Sequence, residues 1–324
     1  MPAFAGITRL WGDLLLMNYR HIYHAGNFAD VFKHILLSAL LQSLLRKDKP
    51  FCYLDTHAGS GNYDLFTEKA QKTQECNNGI VKLWQEFCRG ETSIKAPSSI
   101  LAYLDIIRSW NSEQGSALLR YYPGSPVLAQ KLLRATDKLI FSELHPEEIK
   151  DLKKLFKQDK RVSIHHLDGY ALFKALLPPQ ESRGLVFIDP PFESEHEFDC
   201  ILQSLQLGIK RWRHGIYVVW YPIKKLTDVH SFYKQLITLG IKEILVCELF
   251  LSDFLQTSCQ KLQACGMAII NPPWQLKETM EITLPWLSKM ISDAEGTSFK
   301  TRILDTDWCD CIVSAHHTFR HSAT

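Results

Sequence analysis

Asp189-Pro190-Pro191-Phe192 carries the most specific chemistry in the chain, and it directly follows the apolar run Leu185-Val186-Phe187-Ile188. That run predicts a buried strand of a parallel sheet, and open α/β sheets bind ligands beyond the carboxyl ends of such strands. A carboxylate, a prolyl carbonyl and an aromatic face together suit methylation of an exocyclic aromatic amine. The lone pair of such an amine is delocalised into its ring, so the nitrogen is a poor nucleophile. Asp189 and the carbonyl of Pro190 can accept its two hydrogens and draw the lone pair out of conjugation. Proline fixes φ and lacks an N–H, which holds that carbonyl in one direction. Phe192 offers a stacking face worth about 1–3 kcal/mol by analogy with other base–aromatic contacts. The same four residues would also make an ordinary strand-ending turn, so the surrounding elements must decide.

Further chemistry-bearing residues recur at predicted strand ends. Phe51–Asp55 reads as the first strand, followed by Thr56-His57-Ala58-Gly59-Ser60-Gly61, where small residues let backbone approach a ligand closely. Lys138–Glu143 reads as the second strand, with Glu143 placed to accept both hydroxyls of a ribose. Arg161–His166 is the third, followed by Asp168-Gly169, where the acid can accept from an adenine amino group. Asp189 ends the fourth, and Ile216–Tyr221, Glu243–Leu249 and Met267–Asn271 supply three more, the last two as an antiparallel pair. Helices are expected at about 127–134, 147–158, 198–208 and 231–239 between them. A rival tetrad, Asn271-Pro272-Pro273-Trp274, follows the seventh strand. Strand order favours Asp189, because ligand sites form beside the first strand where the order reverses.

Upstream, Asn18–Asn27 packs tyrosines, histidines and Arg20 into a polar-aromatic arm, including Tyr19 and His21. Asn27 then predicts the N-cap of a helix to about Arg46, with apolar positions Phe28, Val31, Ile35 and Ala39 and with Lys33 and His34 near its start. Residues 62–120 interrupt the α/β rhythm with helical patterns at Ile80–Cys88 and Ile100–Trp110, which predicts a helical subdomain inserted after the first strand. The core then comprises 18–61 and 121–292, with an extension at 1–17 and a tail at 293–324 to which no role is assigned.

Composition limits the alternatives. With 324 residues and 46% hydrophobic content, a sizeable core is within reach. A net charge of +2 does not imply nucleic acid, so any such surface is local. Nine scattered cysteines without a CxxC pair fit reduced cytoplasmic thiols rather than a disulfide frame or zinc site. Cys309-Asp310-Cys311 with His316 and His317 is a weak metal pattern, and no metal is expected. No run reaches about 18 uninterrupted apolar residues, and Met1–Leu16 lacks the basic start of a signal peptide. The expected location is cytoplasmic.

Tyr19-Arg20-His21, His24-Ala25-Gly26-Asn27, Ala29-Asp30-Val31, Lys33-His34, Leu54–Gly59, Tyr121–Pro126, Glu143–Pro146, Asp168-Gly169, Ile188–Phe192, Trp220–Pro222 and Ile270–Trp274 together resemble the ribosomal large subunit methyltransferase J family. The resemblance spans about Asn18 to Leu287. It implies a class I S-adenosylmethionine-dependent methyltransferase, a Rossmann-like seven-stranded sheet with an inserted helical subdomain. It implies methyl transfer from S-adenosylmethionine to the amino nitrogen of one adenine in 23S ribosomal RNA. A monomer is expected, with neither membrane nor metal. Carried over by position, Lys33, His34, His57, Ser125, Glu143, Asp168, Gly169 and Asp189 are implied cofactor contacts, Asp189 is the implied catalytic acceptor with Pro190 and Phe192 beside it, and Tyr19 and His21 are implied contacts to the RNA. Arg20, Arg46, Lys47, Lys210, Arg211 and Arg213 are candidate contacts to its backbone. A DNA adenine methyltransferase would use the same tetrad, but no separate DNA-recognition domain is visible. A nicotinamide oxidoreductase would share the acid after the second strand, but the glycine fingerprint is poor. A non-catalytic RNA-binding scaffold would not need Asp189.

The first sixteen residues precede the family's usual start, which makes Met17 the expected initiator. Removing residues 1–16 is expected to leave methyl transfer intact, as read by activity of the truncated protein once its folding is verified.

Overall fold

The computed structural model describes residues 19–89, 96–251, 262–291 and 297–304. The extension at 1–17 and the Cys309–His317 pattern lie outside them. After a short 3₁₀ turn at His21–Tyr23, helix α1 (Phe28–Leu45) starts at Asn27, whose side chain accepts from the Asp30 amide at 2.9 Å. That bond satisfies one of the orphan N–H groups of the first turn. By length and composition α1 could cross a membrane, yet 83% of it is buried, packed against other helices and the sheet. Its apolar character is therefore that of a core helix.

Strand β1 (Cys52–Asp55) follows. The chain then adds a two-stranded ribbon, β2 (Asn62–Asp64) with β3 (Tyr121–Pro123), and between its strands α2 (Glu68–Thr73), α3 (Ile80–Arg89) and α4 (Ser98–Glu113). Ile100, Tyr103, Leu104 and Ile107 of α4 join the same apolar cluster as α1. Helix α5 (Ser125–Leu132), β4 (Lys138–Ser142), α6 (Glu148–Leu155), β5 (Val162–His165), α7 (Leu172–Ala175), β6 (Gly184–Ile188), α8 (Glu197–Arg211), β7 (Ile216–Pro222) and α9 (Leu226–Thr238) then alternate. The described chain closes with β8 (Ile244–Phe250), β9 (Ala264–Ile270), α10 (Leu276–Ile291) and β10 (Ser298–Leu304).

The main sheet runs β10-β8-β9-β7-β6-β1-β4-β5. β5, β4, β1, β6 and β7 are mutually parallel, and β9 is antiparallel to both β7 and β8. Alternate residues of each strand feed opposite faces. Tyr53, Leu185, Phe187 and Val218 pack on the α1 side, while Leu54, Val186, Ile188 and Val219 pack beneath α7, α8 and α9. From β1 the chain proceeds outward through β4 and β5, then returns to place β6 on the other flank of β1. Strand order thus reverses at the β1–β6 boundary, where doubly wound sheets open a crevice.

Two expectations need correcting. Helix α9 begins at Leu226 rather than near Ser231, because its buried positions Val229, Phe232, Tyr233 and Leu236 carry the helical repeat upstream of Ser231. The sheet also has an eighth strand, β10, drawn from the tail to which no role was given. It pairs antiparallel with β8 from Ser298↔Phe250 to Leu304↔Ile244. Arg302 on β10 donates at 2.7 Å to Glu248, a carboxylate only 1% exposed that also accepts from Tyr233. A buried carboxylate in mid-strand requires a charged partner, and the tail supplies it.

At the β1–β6 seam, a Cβ on Gly184 would lie 2.3 Å from the Cys52 carbonyl oxygen and 2.9 Å from the Trp212 ring. Gly184→Ala is therefore expected to destabilise the fold by about 1–3 kcal/mol through overpacking, measured by urea unfolding.

Candidate active site

Above the β1–β6 boundary lies a cleft of about 790 Å³ lined by the arm, the start of α1, the turn after β1 and the segment after β6. Asp189 is the first residue past β6, and Pro190, Pro191 and Phe192 line the same wall. Phe192 has φ +51°, a left-handed conformation uncommon for a bulky residue, and such strain clusters at functional sites. Its ring meets Trp220 of β7 edge-on at 5.9 Å and Phe198 of α8 at 5.2 Å, so neighbours on two elements hold the turn in place.

Opposite stands Lys33, one turn into α1 and 4% exposed. Its Nζ lies 2.6 Å from Asp189 Oδ2 and 2.7 Å from Asp30 Oδ1. Burial would push the lysine pKa down, but the two carboxylates outweigh it and raise it above the ordinary range. Asp30 experiences the reverse: burial opposes ionisation, yet His21 and Lys33 hold it well below the usual carboxylate range. Asp30 Oδ2 also meets His21 Nε2 at 2.8 Å and accepts from the Gly26 amide at 3.0 Å. His21 Nδ1 pairs with the Tyr19 hydroxyl at 2.8 Å, and the Tyr19 ring stacks on His24 at 5.5 Å. His24 and Asn27 both bond Glu75, which ties the arm to the segment between β2 and β3.

The other half of the cleft belongs to the turn after β1. Gly59 adopts φ +61° and its amide donates to Glu143 Oε2 at 2.7 Å, while His145 N donates to Oε1 at 2.6 Å. Each carboxylate oxygen keeps a further lone pair, so Glu143 retains acceptors for a pair of vicinal hydroxyls. Burial raises its pKa. Beneath it Asp55 is fully buried, accepting from Tyr53 at 2.9 Å and Ser125 at 2.7 Å, and burial pushes its pKa up to about 7. His34 is bonded to the Tyr122 hydroxyl at 2.8 Å, and burial lowers its pKa to about 3.

Of the residues singled out from the sequence, Tyr19, His21, Lys33, His34, His57, Ser125, Glu143, Asp189, Pro190 and Phe192 line this one cleft. Asp168 and Gly169 are not in its wall. Asp168 caps the 3₁₀ turn Gly169–Ala171 by accepting from Tyr170 N at 2.8 Å, and a Cβ on Gly169 would lie 2.2 Å from the Thr56 carbonyl oxygen. The turn is thus pressed against the Thr56-His57 segment. Ser125 commits its hydroxyl hydrogen to Asp55, which leaves its oxygen as an acceptor only. Among the candidate RNA contacts, Arg20 stays on the arm, paired with Glu147 at 2.6 Å. Arg46 and Lys47 precede β1, and Lys210, Arg211 and Arg213 precede β7, so these five sit toward the amino ends of the parallel strands, away from the cleft at their carboxyl ends. The rival tetrad is there too. β9 is antiparallel to β7, and Ile270 pairs with Tyr217 near the start of β7. Asn271 donates to the carbonyls of Arg213 and Gly215 and is a loop clamp.

Sequence reasoning assigned no role to Asp30, Asp55, Tyr122 or Trp220. For Asp30 a signal was present: Asp30, Lys33 and His34 stand at i, i+3 and i+4, one face of a helix. Asp55 ends the first predicted strand, and nothing local marks Tyr122 or Trp220.

Five parallel strands ordered around a reversal at β1–β6, an antiparallel β9 inserted beside β7, an acid after β4 and an Asp-Pro-Pro-aromatic turn after β6 define a class I methyltransferase. Residues 48–303 match the family described as ribosomal RNA large subunit methyltransferase D, RlmJ, and the chain belongs to that family. It is 40% identical over 282 residues to the ribosomal RNA large subunit methyltransferase J of Escherichia coli (strain K12), covering 87% of this chain and 96% of the relative. The protein of the same name from Haemophilus influenzae is 39% identical over the same shares. A crystal structure of protein LPL1258 from Legionella pneumophila str. Philadelphia 1 superposes with a TM-score of 0.77 at 36% identity, covering 87% of this chain and 99% of that one.

His34 yields a pH prediction. The unfolded imidazole takes up a proton near 6.5, whereas the buried one stays neutral down to about 3. The unfolded state therefore binds more protons in that interval, so stability complete above pH 6.5 is lost as pH falls. His34→Gln is expected to remove roughly one proton's worth of the stability slope between pH 6.5 and about 5, measured by urea unfolding at stepped pH.

Proposed function

We propose that this chain transfers a methyl group from S-adenosylmethionine to the exocyclic N6 of an adenine in 23S ribosomal RNA. The observation that carries the reading is the position of Asp189-Pro190-Pro191-Phe192. It leaves β6 beside β1, lines the cleft, and faces a carboxylate, Glu143, that holds acceptors for vicinal hydroxyls. The names of the relatives support ribosomal RNA of the large subunit as substrate.

The cleft suits the methyl donor. Glu143 matches a ribose diol, and the turn after β1 brings the Gly59 main chain against that acid. When bound, S-adenosylmethionine supplies a sulfonium-activated, electrophilic methyl group. Asp189 accepts a hydrogen from the target amine and stabilises the positive charge that develops on its nitrogen. The Pro190 carbonyl is the second acceptor, and Phe192 is the surface on which the base rests. The base must leave its stack to enter, at a cost of a few kcal/mol that is least for an unpaired adenine. Positioning two reactants within one cleft then contributes much of the rate.

Labelled S-adenosylmethionine and unmodified 23S ribosomal RNA should yield N6-methyladenosine on nucleoside analysis. Label in another nucleoside, or in DNA alone, would refute the reading. Asp189→Ala is expected to slow single turnover by about two to four orders of magnitude. Asn271→Ala should cost about 1 kcal/mol of stability through its lost hydrogen bonds and leave turnover within a small factor, since its clamp lies across the sheet. The reverse pattern would misplace the catalytic acceptor.

A further inference from the structure

We propose that Asp30 is a positioning residue: by holding the Lys33 ammonium it sets how far the Asp189 carboxylate is open to the target amine, and with its other oxygen it anchors the arm that bears Tyr19. This rests on the reading of Asp189 as the acceptor. Asp30 is 2% exposed and its two oxygens face opposite ways along the cleft. Oδ1 stands 2.7 Å from Lys33 Nζ. Oδ2 stands 2.8 Å from His21 Nε2 and accepts from the Gly26 amide. Lys33 reaches Asp189 Oδ2 at 2.6 Å. One hydrogen-bonded line therefore runs from the Tyr19 hydroxyl through His21, Asp30 and Lys33 to Asp189.

The chemistry gives that line a purpose. An amine hydrogen seeks the same carboxylate that Lys33 now occupies, and the strength of Asp189 as an acceptor depends on how much of its charge the ammonium neutralises. Two carboxylates on one lysine divide that charge. Removing the Asp30 charge leaves Asp189 as the sole anionic partner in this line, and Lys33 then binds it at the amine's expense. Asp30 never touches the amine, so its influence passes entirely through its neighbours, chiefly Lys33.

A double-mutant cycle separates this from a structural role. Asp30→Asn keeps the shape and most hydrogen bonds, and single turnover with enzyme in excess, normalised to cofactor-titrated sites, reads slow variants and discounts unfolded protein. In the native background Asp30→Asn is expected to slow transfer by about 10–100-fold, the scale of a misplaced reacting group. In a Lys33→Met background the same change should cost less than about threefold, because contacting residues are non-additive. An equal fold-loss in both backgrounds, or none in the native one, overturns the proposal. Nucleoside analysis of the native product is the control. If the label is not in N6-methyladenosine the functional reading fails, while the coupling of Asp30 to Lys33 is still read from the same rates.

Discussion

A single buried ammonium group between two carboxylates is the constraint from which the rest of this structure follows. Lys33, Asp30 and Asp189 come from two segments far apart in sequence, and each would be costly to bury alone. Together they leave one net negative charge, and Asp30 is also held by His21 at 2.8 Å. This requires the first turns of α1 to stand beside the residue that leaves β6. That placement in turn requires a helix apolar on nearly every side, because α4, α5, α10 and the sheet all close around it. The membrane-like composition of α1 and the polar triad at its start are two aspects of one arrangement.

The sheet meets the same demand from below. Gly184 allows β6 to lie against β1 without a Cβ in the way, and Gly169 allows the turn after β5 to press on the Thr56-His57 carbonyl. Close packing at these two points aligns the ends of β1, β4 and β6, so that Glu143 and Asp189 face one cleft from different strands. Asp55 serves beneath them as a buried acceptor for Tyr53 and Ser125, which fixes the entry to α5. Its raised pKa marks a carboxyl kept from water by structure.

At the far edge of the sheet a different charge problem is solved. Glu248 faces the core from β8, and β10 closes over it with Arg302 while covering an edge that would otherwise be open. The Asn271-Pro272-Pro273-Trp274 turn, though similar in sequence to Asp189-Pro190-Pro191-Phe192, lies at the end of β9 and clamps the start of β7.

Much of this is legible in the sequence alone. Apolar runs ending in acids located β1, β4, β5 and β6, the Asn27 cap located α1, and the order of strand-end residues put Asp189, not Asn271, where strand order reverses. These features are local: each depends on a run of a few residues and on the periodicity that run imposes. What tertiary structure alone decided is the partnership of distant groups. No spacing predicts that Lys33 reaches Asp189 or that Tyr122 receives His34, because those partners stand 156 and 88 residues apart. Nor could the pattern of β10 be distinguished from a polar tail, since an edge strand half exposed to water alternates with charged residues. Sequence thus determined which chemistry was available and on which strand ends it stood. Folding decided which charges share a buried space, because desolvation binds together whichever groups the packing brings into contact.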